Sequence, residues 1–257
     1  MSYVYLRPGD RLPAVGVLQQ LLNRGGARLR VDGVFGARTR AAVEAFQRQR
    51  GLGVDGIVGE QTWPRISAGA GLGIVDCVDV FDPDLMRQEV HDIRRVGGNP
   101  IVIGGMSNGV EQAVMDISRA APLGSLFLLR FHGHGAPGNA GISDGQGLVP
   151  GEHRTSIHTG NLAQVLPLVG RLRFLFGPFG CVQFMHCSTG QGPAGRQLLR
   201  SIVNELGVPA MAGTVTQYGG GVATFRFEGP TFTAVPGGKT LETWCARLPS
   251  LAGMTVR

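Results

Sequence analysis

Two stretches carry side chains able to do nucleophilic chemistry together: Arg130-Phe131-His132-Gly133-His134-Gly135 and Met185-His186-Cys187-Ser188-Thr189-Gly190. Each follows an apolar run, residues 126–131 and 182–185, that reads as a buried strand. A thiol attacks a carbonyl as thiolate, and a nearby imidazole is a suitable base to generate it. Strand ends lie at the rim of an open sheet, where ligands bind in α/β folds. Cys187 opens the segment Cys-Ser-Thr-Gly-Gln-Gly-Pro-Ala-Gly, which leads into a helical run. Close to a helix start, the dipole and the free backbone N–H groups favour a thiolate and can hold an oxyanion. His134 sits in Gly133-His134-Gly135-Ala136-Pro137-Gly138, a loop with no bulky neighbours, so its imidazole could take the thiol proton. The N–H groups of Gly135 and of Cys187 itself would then receive the oxyanion. His132 competes for the base role but belongs within the strand. His186 points to the opposite face of an extended chain and reads as structural.

The elements that must position these residues alternate in type. Strand patterns at 74–80, 100–103, 123–131, 181–185 and 208–212 are separated by helical patterns at 83–96, 109–121, 161–169 and 192–206. Such spacing requires right-handed crossovers and a mainly parallel sheet. Residues 223–227 and 231–234 flank Gly229-Pro230 and suggest an edge hairpin.

The first 66 residues follow another plan. Val31-Asp32-Gly33-Val34-Phe35-Gly36 recurs 23 residues later as Val54-Asp55-Gly56-Ile57-Val58-Gly59, with Thr39 and Thr62 following at matched offsets. Asp-Gly makes a tight turn, and the second glycine ends each loop before a helix. Val15, Leu18, Leu21 and Leu22 mark one helix face; Val43, Phe46 and Gln47 mark another; a short third helix fits 61–66. Residues 67–73, Ser-Ala-Gly-Ala-Gly-Leu-Gly, read as a linker.

The run from Asp32 to Gln47 matches D-G-x-F-G-x-x-T-x-x-A-V-x-x-F-Q almost unbroken, and residues 8–66 thereby resemble the peptidoglycan-binding-like three-helix domain. That resemblance implies a non-catalytic module holding an enzyme on cell-wall glycan or peptide, although family members also dock proteins. Its Asp, Gly, Val, Phe and Trp63 positions read as turn and core residues and do not identify the ligand contacts. Residues 74–235 resemble the caspase-like (clan CD) cysteine peptidases, closest to bacterial domains with S-H-G-x-x-G, C-x-x-G-x-x-G and an L-G-V-P-V-x-A strand. Here those read Gly133 to Gly138, Cys187 to Gly195, and Leu206-Gly207-Val208-Pro209-Ala210-Met211-Ala212. The resemblance implies His134 as base and Cys187 as nucleophile. Gly133 departs from the family's serine, and no third catalytic acid is evident.

The expected organisation is therefore multi-domain: a small all-α domain over 1–66, a linker over 67–73, and a caspase-like α/β domain over 74–257. The expected function is a cell-wall-targeted cysteine endopeptidase that hydrolyses peptide bonds with a His134–Cys187 dyad and needs no metal or organic cofactor. Asp144 is a guess at a pocket for basic residues. A second reading uses Cys181: Phe179-Gly180-Cys181-Val182-Gln183 is similar to the S-H-G-C-[IV]-R motif of L,D-transpeptidases, with the orienting residues replaced. A third is a non-catalytic binding or assembly protein, for example of a phage or injection-machine particle.

Composition narrows the partners. Hydrophobic residues make 43% and charged residues 16%, and the net charge of +6 is concentrated in 1–66, where ten arginines face five acids. A basic module suits a polyanion such as a cell-wall polymer; no zinc-finger or other nucleic-acid signature accompanies it. No apolar run reaches the ~18 residues of a membrane span. Four scattered cysteines without a C-x-x-C pair read as reduced thiols rather than a disulfide frame or thiolate metal site. No signal peptide is visible, so the expectation is synthesis in the cytoplasm, with action at the wall or delivery by a phage-like or non-standard route.

Overall fold

The computed structural model describes residues 2–80, 82–104, 108–143 and 154–251. They divide into two compact units: an α/β unit of Ser2 and the described residues between 73 and 238, and a helical unit of residues 3–72 and 239–251.

In the helical unit, α1 (Pro13–Arg24) buries Val15, Leu18, Leu21 and Leu22, the apolar face that the spacing predicts. It is followed by α2 (Ala37–Gln49) and the short α3 (Thr62–Ile66), with Trp63 in the core. Each Asp-Gly loop is fixed by a buried glutamine. Gln19 accepts from the N–H groups of Asp32 and Gly33 and donates to Asp32 Oδ1, Val34 O and Thr39 Oγ1. Gln47 repeats the pattern on Asp55, Gly56, Ile57 and Thr62, at 2.8–3.2 Å. The sequence repeat is thus a repeated loop-and-clamp. Removing a clamp strands several buried donors and acceptors, each costing ~1–3 kcal/mol. Gln47→Ala should therefore destabilise the helical unit by roughly 2–4 kcal/mol in urea unfolding. A loss below about 1 kcal/mol would refute the clamp role.

The α/β unit runs β1 (Gly73–Asp79), α4 (Pro83–Arg95), β2 (Ile101–Ile103), α5 (Gly109–Ala120) and β3 (Leu126–His132). The short β4 (Gly135–Ala136), β5 (Asn139–Gly141) and β6 (Ser156–His158) form a separate antiparallel sheet. Then come α6 (Leu162–Val169), β7 (Phe176–Phe184), α7 (Gly192–Leu206), β8 (Ala210–Gly213) and β9 (Thr231–Ala234). The main sheet has the order β2-β1-β3-β7-β8-β9; the first five strands are parallel and β9 is antiparallel. Apolar side chains of α5, α6 and α7 pack on one face, against Leu129, Phe131, Val182 and Phe184.

Two expectations are corrected. Residues 223–227 are not a strand: Gly221–Phe225 is a 3-10 turn that buries Thr224 and Phe225, and β9 pairs with β8 instead. The last stretch, expected to close the α/β domain, belongs to the helical unit. Its α8 (Leu241–Cys245) packs beside α1. A Cβ on Gly16 would lie 2.7 Å from Cys245 Sγ, and Gly33, at φ +74°, backs on the same sulfur. Only glycine permits both the close approach and the left-handed turn at these two points. Burial pushes the Cys245 thiol up to about 12, as suits a packing thiol.

Candidate active site

β3 and β7 are neighbouring parallel strands, paired through Phe131 and Phe184. His134 and Cys187 each lie three residues beyond that pair, at the same rim of the sheet. Their loops touch. A Cβ on Gly133 would sit 3.2 Å from His186 Nε2, and one on Gly135 would sit 2.7 Å from His186 Cβ and collide with Thr189 Oγ1. The glycines on either side of His134 thus let its loop press against the segment that carries Cys187. Gly141 N–H bonds the His134 carbonyl. Because ladder bonds alternate in an antiparallel pair, the Gly135–Ala140 pair leaves the Gly135 N–H pointing out of the β4–β5 ladder.

His134 is partly exposed, at 43%, and its Nε2 lies 3.9 Å from Asp82 Oδ2. Asp82 caps α4, accepting from the N–H groups of Asp84 and Leu85. Those bonds, chiefly that from Leu85, hold its carboxyl below the ordinary range, and His134 adds to the effect. Asp79, Glu89 and Leu85 join His134 around a cleft of about 10 Å³. An acid beside His134 is a feature that sequence reasoning missed, because 52 residues separate the two.

Cys187 is half-buried, and its thiol meets one residue twice: Sγ donates to Gln217 O (3.1 Å) and receives the Gln217 N–H (3.3 Å). The loop beyond it is held from both sides. Ser188 N–H bonds Val215 O, Gly190 N–H bonds Gly213 O, and Thr189 Oγ1 donates to Asn139 O. Ser188 has φ +53°, the left-handed region, where a side chain costs about 1 kcal/mol or more. That turn redirects the chain sharply just after the thiol. α7 begins at Gly192, where the sequence pattern starts it, and residues 188–191 separate the thiol from the helix start.

The other candidates are scaffold. His132 ends β3 fully buried, with Nε2 3.3 Å from Asp76 and Nδ1 3.5 Å from Glu89. Arg130 joins the cluster through Asp76 (2.5 Å) and Ser2 Oγ (2.7 Å), and its guanidinium lies over the Phe225 ring. Asp76, Arg130 and Gln183 lie side by side across β1, β3 and β7. Burial opposes charge on His132, but Glu89 and Asp76 outweigh it and raise its pKa to about 9. His186 is also fully buried, donating Nε2–H to Gly141 O (2.7 Å), and burial pushes it down to about 3. Cys181 is 0% exposed in mid-strand, paired with Leu128. A buried strand thiol cannot meet a wall peptide, so the transpeptidase alternative loses its nucleophile. Asp144 lies outside the described residues.

These two histidines should give the α/β unit a pH optimum of stability. His132 contributes stability that is complete below the ordinary histidine range and is lost as pH rises through about 9. His186 contributes stability that is complete above that range and is lost as pH falls toward about 3. Melting temperature of the α/β unit should peak near pH ~6.5 and fall on both sides. His132→Gln should flatten the alkaline limb; an unchanged limb would contradict the assignment.

Comparison with known proteins concerns the other unit. Residues 11–66 match the family described as "Putative peptidoglycan binding domain". A zinc D-Ala-D-Ala carboxypeptidase of Streptomyces albus G is 51% identical over 41 residues, 16% of this chain and 16% of that enzyme. The Burkholderia AP3 phage endolysin structure is 51% identical over 26% of each chain, with a TM-score of 0.25. The SleB N-terminal domain structure is 36% identical over 26% of this chain and 92% of its own, again at 0.25. This chain spans about a sixth of the carboxypeptidase and a quarter of the endolysin, and the likeness lies in the binding domain alone. The N-terminal helical segment, residues 11–66, is a peptidoglycan-binding domain.

Proposed function

We propose that the chain is a cell-wall-targeted cysteine endopeptidase, with the helical unit as anchor and the α/β unit as catalyst. The observation that carries this reading is the shared register of His134 and Cys187 past the Phe131–Phe184 pair. The strand–His-Gly, strand–Cys and following helix and strand also agree with the caspase-like pattern read from the sequence. His134 takes the Cys187 proton as the thiol leaves Gln217, and the thiolate attacks the amide carbonyl carbon. The carbonyl oxygen takes the electron pair and is met by the N–H groups of Gly135 and Cys187. The imidazolium then protonates the departing amine, leaving a thioester. His134 next removes a proton from water, which attacks the thioester and releases the acid and the thiol. Asp82 holds the charged imidazole during both steps.

The anchor places this chemistry on peptidoglycan or another wall polymer, as the names of a related carboxypeptidase and endolysin suggest. Among the described residues no helix is long and apolar enough to cross a membrane. Action at the wall, reached by a phage-like or non-standard route, fits this reading.

A peptide probe with a thiol-reactive warhead tests it. Labelling should disappear in Cys187→Ala and persist in Cys181→Ala. Labelling that survives Cys187→Ala overturns the assignment. A wild type that never labels favours a non-catalytic binding protein, with the thiol held permanently by Gln217.

A further inference from the structure

Between the end of α1, α2 and α3 the helical unit carries a groove of about 610 Å³. Its apolar liners include Leu22, Phe46 and Ile66, and three exposed arginines, Arg24, Arg50 and Arg65, line it as well. No carboxylate lines it among the described residues, and none forms an ion pair with these three arginines. Each guanidinium has five donors. Arg24 spends one, at 3.4 Å, on Ala68 O; Arg65 spends one on Gln61 O; and Arg50 stacks 5.5 Å from the Phe46 ring centre. The remaining donors line the groove without a carboxylate among the described liners to receive them.

We infer that this groove is the ligand site of the anchor and takes the carboxylate-bearing peptide stem of the wall polymer rather than its glycan. The inference rests on the wall-binding reading above and assigns the site and the recognised moiety. Arginine forks match carboxylates in bidentate geometry, which sugar hydroxyls do not supply. Small aliphatic side chains between the carboxylates of a short peptide suit the half-buried Phe46 ring and the neighbouring Ala42 and Ala45. The repeated Asp-Gly loops take no part, since the glutamine clamps occupy their polar groups.

The test is co-sedimentation of the full chain with purified peptidoglycan freed of accessory polymers, and with the same glycan stripped of stems by an amidase. Wild type should sediment with intact material and lose at least about tenfold in retention on stripped glycan. Arg24→Ala/Arg50→Ala/Arg65→Ala should lose as much on intact material, while Arg38→Ala/Arg48→Ala, whose residues do not line the groove, should retain binding. Melting temperature of each variant confirms folding. If the triple variant unfolds, Arg65→Glu alone takes its place. Undiminished binding by the groove variants overturns the site, and undiminished binding to stripped glycan overturns the stem. Failure of wild type to sediment with either material overturns the wall-binding reading itself.

Discussion

Asp76→Ala is expected to cost the α/β unit about 3–5 kcal/mol, the usual penalty for removing one partner of a buried ion pair. Asp76 has its own desolvation against it, yet Arg130 and His132 hold its carboxyl well below the ordinary range. It is therefore the anion that pairs with Arg130 and shares His132 with Glu89. Arg130 is 0% exposed and loses its 2.5 Å carboxylate partner, though it still meets Ser2 Oγ and the Phe225 ring. His132 keeps Glu89 at 3.5 Å, and its pKa falls once the Asp76 carboxylate is gone. Chemical denaturation, followed on the transition of the α/β unit, measures the loss. A cost under about 1 kcal/mol would mean that water or Glu89 replaces Asp76 freely. Asp76→Asn should recover part of the loss by retaining one hydrogen bond.

His134→Ala is expected to lower the rate at which Cys187 reacts with an acylating peptide probe by about 10²–10⁴-fold, the range assigned to a positioned general base. The comparison with His132→Gln makes the result specific. His132 is locked in the Asp76–Glu89 cluster, so its loss should lower stability and leave the rate at Cys187 within a fewfold on folded protein. Asp82→Asn should fall between the two, because 3.9 Å is an electrostatic contact rather than a hydrogen bond. Equal rates in wild type and His134→Ala would remove His134 from the chemistry.

Much of the scaffold was legible because its signals are local. Helical periodicity located α1, α2 and α7, and the Asp-Gly turns with their matched threonines gave the repeat. The apolar runs before His132 and Cys187 gave the two central strands. The clamp role of Gln19 and Gln47 was not visible, since a glutamine on a buried helix face has no periodic mark. β7 starts five residues earlier than the strand pattern at 181–185. Phe176 and Cys181 pair with Leu126 and Leu128, so the residues between them on β7 bulge out of register, and Gly177-Pro178 hid the strand. β4, β5 and β6 have two or three residues each, too short for any alternation to show. At the site, His134 and Cys187 came from spacing and family likeness. Asp82, Gln217 and the left-handed Ser188 depend on chain crossings that no short motif encodes.

The helical unit is assembled from both flanks of the α/β unit, and Ser2 lies with the α/β unit although Tyr3 belongs to the helical one. The polypeptide therefore passes between the units three times. A protease that cuts once in the stretch 67–72 severs a covalent link without freeing either unit. The upstream fragment keeps Ser2 against Arg130, while the downstream fragment keeps α8 with its cysteine under Gly16. Nicked protein would run as two bands after denaturation and as one species before it, so the two units stay coupled even where the chain between them is broken.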